Sequence, residues 1–179
     1  FIARDRLGIK PLYYALLKNG LFIFSSELKA IHTHPEFVKE FDHFAIEEYF
    51  AYGYIPEPRT IYKDAQKLSP GYSIKLSPHS NQIQPRQYWD VPFTPHTDMS
   101  EQLVEQELIA RFREAVDIHL MSEVPLGAFL SGGVDSSAVV AMMSGLMKDP
   151  VNTCSISFAN PVFDESKYAQ EVAHRYHTN

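Results

Sequence analysis

The sequence predicts a mixed α/β chain in two parts, a hairpin-rich first half and the start of a parallel sheet in the second. Three observations carry that expectation. Short β-rich runs divided by Asn-Gly and Pro-Gly turns fill residues 1–92, as antiparallel strands do. From Asp98 onward a long helical period leads to an apolar run, a Gly-rich turn, a helix, another β-rich run and a last helix. That is the order of a doubly wound parallel sheet. Between the halves, Val91-Pro92-Phe93-Thr94-Pro95-His96-Thr97 has two prolines and no periodicity, which marks a linker. The domains are therefore drawn as 1–92, with the start of the linker, and 93–179.

Phe1–Pro11 reads as a strand interrupted by the turn Asp5-Arg6-Leu7-Gly8, and Ile9–Leu17 resumes β character. Lys18-Asn19-Gly20 is a hairpin turn, after which Leu21–Phe24 pairs back. Ser25-Ser26-Glu27 is expected to cap a short helix carrying Leu28, Ala30 and Ile31. Asp42 precedes a second helical window that Gly53 stops. Its aromatic face, Phe44, Tyr49, Phe50 and Tyr52, is expected in a core or a domain interface. Prolines 56 and 58 hold Tyr54–Tyr62 extended. Lys67–Tyr72 turns into a strand at Ser73–Leu76, and a loop at residues 77–82 leads to its hairpin partner at Ile83–Trp89. Arg4, Asp5, Arg6, Lys10 and Glu27 read as solvated or paired structural charges. Arg59 and Lys67 are candidates to face the second half.

Asp98 or Ser100 caps a long helix whose Leu103, Val104, Leu108, Phe112, Ala115, Val116 and Leu120 form one apolar stripe. His119 at its end reads as a packed residue. Leu126–Ser137 then joins a short buried strand, a Gly-rich turn and a helix start, the way α/β proteins build anion sites. Gly132 and Gly133 let the backbone approach an oxyanion, because neither carries a Cβ. Ser131, Ser136 and Ser137 offer hydroxyls beside the free N–H groups of the next helix, expected at Ala138–Met147. Asp135 would repel a phosphate unless a divalent cation sat between them, which makes it the candidate metal ligand. Turn geometry alone does not call for two glycines, an aspartate and three hydroxyls in so short a run. Val151–Phe158 is the second strand, Asn160-Pro161 turns, and Asp164 is expected to cap a helix that buries Ala169, Val172, Ala173 and Tyr176. Ligands of parallel sheets bind beyond the carboxyl ends of the strands. Phosphates are thus expected on Ser131–Ser137 and a nucleoside near Ile156.

Composition narrows the partners. The chain of 179 residues is 45% hydrophobic and 21% charged, ordinary for a globular protein. Its net charge of -6 and lack of a basic stripe argue against nucleic acid. One cysteine allows no disulfide framework, as in a reducing cytosol. No apolar run approaches the ~20 residues of a membrane span.

The motifs then carry a resemblance. No lysine lies between Glu123 and Lys148, so the turn is not a Walker A loop, and Gly-x-Gly-x-x-Gly is absent. Ser131-Gly132-Gly133-Val134-Asp135-Ser136 resembles the pyrophosphate loop of ATP pyrophosphatases, which cleave ATP between the α and β phosphates. Arg4–Tyr14 with Ser25–Ala30 resembles the closing part of a class II glutamine amidotransferase domain. In this order, with Leu120–Pro125 leading into the loop, the two resemble the glutamine-hydrolysing asparagine synthetase family. Val134 stands where the close family variant has leucine. Tyr52–Tyr62 is more similar to the amidotransferases of bacterial exosortase-linked loci.

The resemblance implies that residues 1–92 end an Ntn-type glutaminase and that 93–179 begin an ATP pyrophosphatase domain. The architecture would be an α+β remnant plus half of a doubly wound sheet, and both chain ends are expected to be cuts in a longer protein. The nucleophilic cysteine would lie upstream of Phe1, so no catalytic residue is expected here and the fragment alone is expected to be inactive; Cys154 is no substitute. ATP and Mg²⁺ are the implied cofactors. Ser131, Gly132, Gly133, Ser136 and Ser137 would hold the β/γ phosphates, Asp135 the metal, and the Leu130 and Ile156 backbones the adenosine. A carboxylate, aspartate or another, would be activated as an acyl-adenylate with loss of pyrophosphate, then aminated by ammonia from glutamine. Partners are then small molecules in the cytoplasm, without nucleic acid or membrane, and with a homodimer left open. Other ATP-pyrophosphatase ligases and a non-catalytic nucleotide-binding module are the alternatives.

Overall fold

The computed structural model describes residues 1–77, 83–94 and 98–179. The backbone gathers into two compact units, Phe1–Thr94 and Pro95–Asn179. The first contains β1 (Ile2–Ala3), β2 (Tyr13–Leu16), β3 (Phe22–Ser25), α1 (Leu28–His32), α2 (His43–Tyr52), β4 (Ala65–Lys67), β5 (Tyr72–Ile74) and β6 (Arg86–Gln87). The second contains α3 (Glu101–His119), β7 (Gly127–Phe129), α4 (Val134–Leu146), β8 (Asn152–Cys154) and α5 (Ser166–Tyr176). The described residues thus form a mixed α/β chain. Residues 78–82 of the expected loop and 95–97 of the expected linker lie outside them.

In the first unit, β2 runs antiparallel between β3 and β4. The Asn-Gly turn closes the hairpin: Leu17 N–H donates to Leu21 O at 2.8 Å and Leu21 N–H to Asn19 Oδ1 at 2.9 Å. Ala65-Gln66-Lys67 has no β-branched or aromatic residue, so β4 owes its form to pairing with β2 rather than to propensity. A second antiparallel sheet has the order β1-β5-β6. Its strands are shorter than expected because turns interrupt them. Asp5 O accepts from Gly8 N–H, and Gly71 O draws in the N–H groups of Tyr88 and Trp89. Two small cores result, one around Leu17, Ile31 and Phe37, the other around Tyr14, Leu68 and Ile74.

The helices of this unit bear on two expectations. Glu27, the last residue of the expected capping segment, is the N-cap of α1 but makes no side-chain cap bond; Ser25 Oγ donates to Glu27 O at 2.6 Å instead. Asp42 does cap α2, accepting from Phe44 N–H at 3.0 Å, and Gly53 ends it. Of the two places expected for the aromatic face of α2, the core is excluded: Phe44, Tyr49, Phe50 and Tyr52 are exposed, and only Ala45 of this helix is buried.

In the second unit β7 and β8 are parallel, with Gly127, Ala128 and Phe129 opposite Asn152, Thr153 and Cys154. Ser100 caps α3 by accepting from Leu103 N–H at 3.3 Å. Only the second half of the α3 stripe is packed, through Phe112, Val116 and Leu120 against Met143 and Val151. Leu103, Val104, Leu108 and Ala115 are exposed, since the described residues of this unit bring nothing over them. The opposite core joins Leu130 and Val140 to the expected face of α5: Ala169, Val172, Ala173 and Tyr176. Three boundaries shift. The strand expected at Val151–Phe158 is limited to β8, because Ser155 leaves the ladder to bond Leu130 O. α4 begins at Val134 rather than Ala138, which puts Asp135, Ser136 and Ser137 on its first turn. Glu165 takes the N-cap position of α5 without a side-chain cap bond, and the expected Asp164 supplies the side-chain acceptor instead, receiving Ser166 N–H at 3.3 Å.

Candidate functional site

The carboxyl ends of β7 and β8 open onto one cleft of about 260 Å³, bounded by Leu130, Ser131, Ile156, Phe158, Phe163 and Ser166 among others. Leu130 holds the two strand ends together. Its N–H donates to Cys154 O at 2.9 Å, and its carbonyl accepts from Ser155 Oγ at 2.6 Å. One lone pair of that carbonyl is therefore all the Leu130 backbone has left for a ligand. Ile156 is exposed.

From Leu130 the chain enters the turn. Gly132 has φ +81°, and a Cβ there would lie 2.4 Å from Tyr168 Cβ and 2.6 Å from Ala169 N. Only glycine lets the turn lie this close to the start of α5. Ser131 and Ser136 knit its two sides: their hydroxyls are 3.0 Å apart, Ser131 N–H donates to Ser136 Oγ at 3.3 Å, and Gly133 N–H donates to Ser131 Oγ at 3.3 Å.

Gly133 is the N-cap of α4 and has no side chain to satisfy the helix start. The first intrahelical bond runs from Ser137 N–H to Gly133 O, so the N–H groups before it have no helical acceptor. Ser137 Oγ is buried without a hydrogen-bond partner. Asp135 is exposed on this first turn. The N–H groups without a helical acceptor and the positive helix end form a donor set that fits a polyphosphate, with the Ser131 and Ser136 hydroxyls beside them engaged within the turn, Ser136 Oγ donating to Gly133 O at 3.3 Å. For Mg²⁺ the fit is narrower. Among the described residues no cluster of three or more His, Cys, Asp or Glu side chains forms a metal cage. Asp135 can supply one carboxylate, with phosphate and water left to complete the shell, as magnesium sites commonly do.

The expected site residues are thus not equivalent. Leu130, Ser131 and Ile156 meet at the cleft, and Ser131, Gly133 and Ser136 share one hydrogen-bonded turn. Ser136 also borders a second, more apolar hollow of about 520 Å³ between α3, β7 and α4. His119 borders that hollow too but is exposed rather than packed as expected, its Nδ1 2.7 Å from Ala115 O one turn earlier in the same helix. Arg59 and Lys67 are engaged inside the first unit. Arg59 pairs with Glu48 at 2.8 Å, and Lys67 Nζ donates to Ile55 O at 2.5 Å. Burial holds the Lys67 amine below its ordinary pKa. Phe158, Phe163 and Ser166 border the cleft without having been marked in the sequence. An aromatic pair around Asn160-Pro161 looks like any loop until β8 and α5 bring it across from Ser131.

Comparison with known proteins places these units. A glutamine amidotransferase domain model matches residues 1–89 and an asparagine synthase model matches 107–179. A Methanocaldococcus jannaschii protein provisionally named asparagine synthetase (glutamine-hydrolysing) 2 is 39% identical over 182 residues, covering 99% of this chain and 35% of that protein. Bacillus subtilis asparagine synthetase (glutamine-hydrolysing) 3 is 36% identical over 178 residues, covering 97% of this chain and 28% of that protein. A Penicillium rubens protein named amidase chyE is 31% identical over 185 residues, covering 96% of this chain and 26% of that protein. The chain therefore spans 35% or less of the length of these relatives.

Proposed function

We propose, starting from a chain that belongs to the glutamine-hydrolysing asparagine synthetase family, that the full-length protein is a glutamine-dependent, ATP-consuming amide ligase. The observation that carries the reading is the turn Ser131–Ser137: an uncapped helix start, a partnerless buried hydroxyl and a close-approach glycine beside the cleft at the strand ends. In this reading residues 1–92 close a glutaminase domain. Residues 93–179 begin a doubly wound ATP-pyrophosphatase domain, with β7 and β8 as its first parallel pair.

ATP lies with its β/γ phosphates on Ser131, Gly132, Gly133, Ser136 and Ser137. Its adenosine sits in the cleft by Leu130 and Ile156. Oriented N–H and O–H donors stabilise the charge that grows on leaving pyrophosphate, without the reorganisation water would need. Asp135 would hold Mg²⁺, which would supply neutralisation of phosphate charge when bound. A carboxylate acceptor gives an acyl-adenylate, and ammonia from glutamine displaces AMP. Aspartate is the acceptor that the relatives' names favour. A different acceptor has one point in its favour, the Penicillium relative named an amidase. The cytoplasm is the expected compartment, and no described helix is long and apolar enough to cross a membrane.

The test is product analysis on the full-length protein given ATP, Mg²⁺, glutamine and aspartate. AMP and pyrophosphate are expected, and Asp135→Ala should cut their formation by about a hundredfold or more while glutamine hydrolysis stays measurable. Release of ADP and orthophosphate would overturn the pyrophosphatase reading.

A further inference from the structure

We propose that Asp164 is a positioning residue for nucleotide binding: it pins the cleft wall that stands across from Ser131. The inference rests on the nucleotide reading of the cleft. After β8 the chain makes an excursion, turning at Asn160 before it returns to α5. Phe158 on the outgoing limb and Phe163 and Ser166 on the returning limb all border the cleft. The tip is local, with Phe163 N–H donating to Asn160 O and Val162 N–H to Asn160 Oδ1, both at 3.1 Å.

Asp164 joins the limbs. Its Oδ1 accepts from Phe158 N–H and from Ser166 N–H, each at 3.3 Å, and its Oδ2 accepts from Ser166 Oγ at 2.8 Å. The Ser166 hydroxyl and then the Phe158 N–H hold this carboxyl below its ordinary pKa, so at neutral pH it is an acceptor only. Packing does not do the same work. Phe158 and Phe163 are 55% and 66% exposed and belong to neither core cluster of this unit. A segment with few buried contacts opens at low cost. A ligand that needs the closed form loses affinity in proportion to the closed fraction. Among the described residues, the Asp164 carboxylate thus ties the outgoing limb at Phe158 to the returning limb at Ser166.

The experiment is calorimetric titration of the full-length protein with Mg²⁺-ATP. Asp164→Ala should raise Kd about tenfold at unchanged stoichiometry, the scale of lost hydrogen bonds to a charged acceptor. A fold defect alone would lower stoichiometry and leave Kd in place. Asp164→Asn keeps one oxygen for both N–H groups and should stay within about threefold of wild type. Equal loss in Asn and Ala variants would make charge the agent and contradict the pin. Ser166→Ala, a milder change, should raise Kd about threefold and decides the matter if Asp164→Ala does not fold. Wild-type Kd in both alanine variants overturns the inference while leaving the nucleotide reading intact. A wild type that binds no ATP overturns the nucleotide reading, and this inference with it.

Discussion

Two polar turns, each following a short strand and each containing a glycine with positive φ, end in opposite states. At Arg4–Lys10 the turn closes on itself. Arg4 is 9% exposed, and its guanidinium donates to Lys10 O, Gly8 O, Leu68 O and Glu57 Oε1 at 2.6 to 3.0 Å. Asp5 accepts from Ile9 N–H and Lys10 N–H at 2.8 and 3.0 Å. Gly8, at φ +67°, has no room for a Cβ, which would meet Pro70 and Arg4 within 3 Å. At Ser131–Ser137 the glycine is equally constrained, yet the helix start is left uncapped and Ser137 Oγ has no partner. A buried polar group without a partner is costly. The first turn uses its polar groups within the fold, whereas the second leaves the N–H groups at the start of α4 without a helical acceptor, as the proposed phosphate site requires.

That contrast can be broken at its closed end. Arg4→Ala leaves Leu68 O, Gly8 O and the half-buried Glu57 without their donor, a loss of hydrogen bonds to a charged group on the order of 2 kcal/mol. Denaturant unfolding should show that loss for the first unit, with ATP affinity unchanged. A large loss of ATP affinity with little loss of stability would reverse the roles assigned to the two turns.

A smaller effect sharpens the same comparison. The N–H groups of Lys10 and then Ile9 hold the Asp5 carboxyl below its ordinary pKa of 3.8. Its stabilising contribution is therefore fully present above pH 3.8 and fades as pH falls through the depressed value. Asp5→Asn should flatten the acid limb of a stability–pH curve below that point, read from urea midpoints. An unchanged limb would mean that other carboxylates govern acid unfolding.

Contiguous features were legible in the sequence, and long-range ones were not. The Gly-rich turn, its serines and Asp135 lie within a few residues, so the strand–turn–helix form was legible without a fold, though α4 starts at Val134 rather than Ala138. The buried face of α5 was legible because a helical period needs only neighbours in sequence. Arg4 is one of the paired structural charges expected, bonded to Glu57, but its buried role was not legible because its acceptor Leu68 O is 64 residues away. β4 exists because β2 accepts it as a partner, which local propensity does not encode. The aromatic face of α2 left core and interface both open for the converse reason: apolar periodicity says what wants burial, not what covers it. Asp164 was marked as a helix cap, and only the return of the chain past Phe158 makes it a brace between two limbs.

Hydrogen exchange on the full-length protein, with and without Mg²⁺-ATP, tests the contrast between the turns most directly. Peptides spanning Leu130–Ser137 should gain strong protection on binding, as the free N–H groups at the start of α4 find acceptors. Peptides spanning Arg4–Lys10 should exchange at the same rate in both states. Protection confined to the first turn, or none at Leu130–Ser137 under saturating nucleotide, would contradict the account.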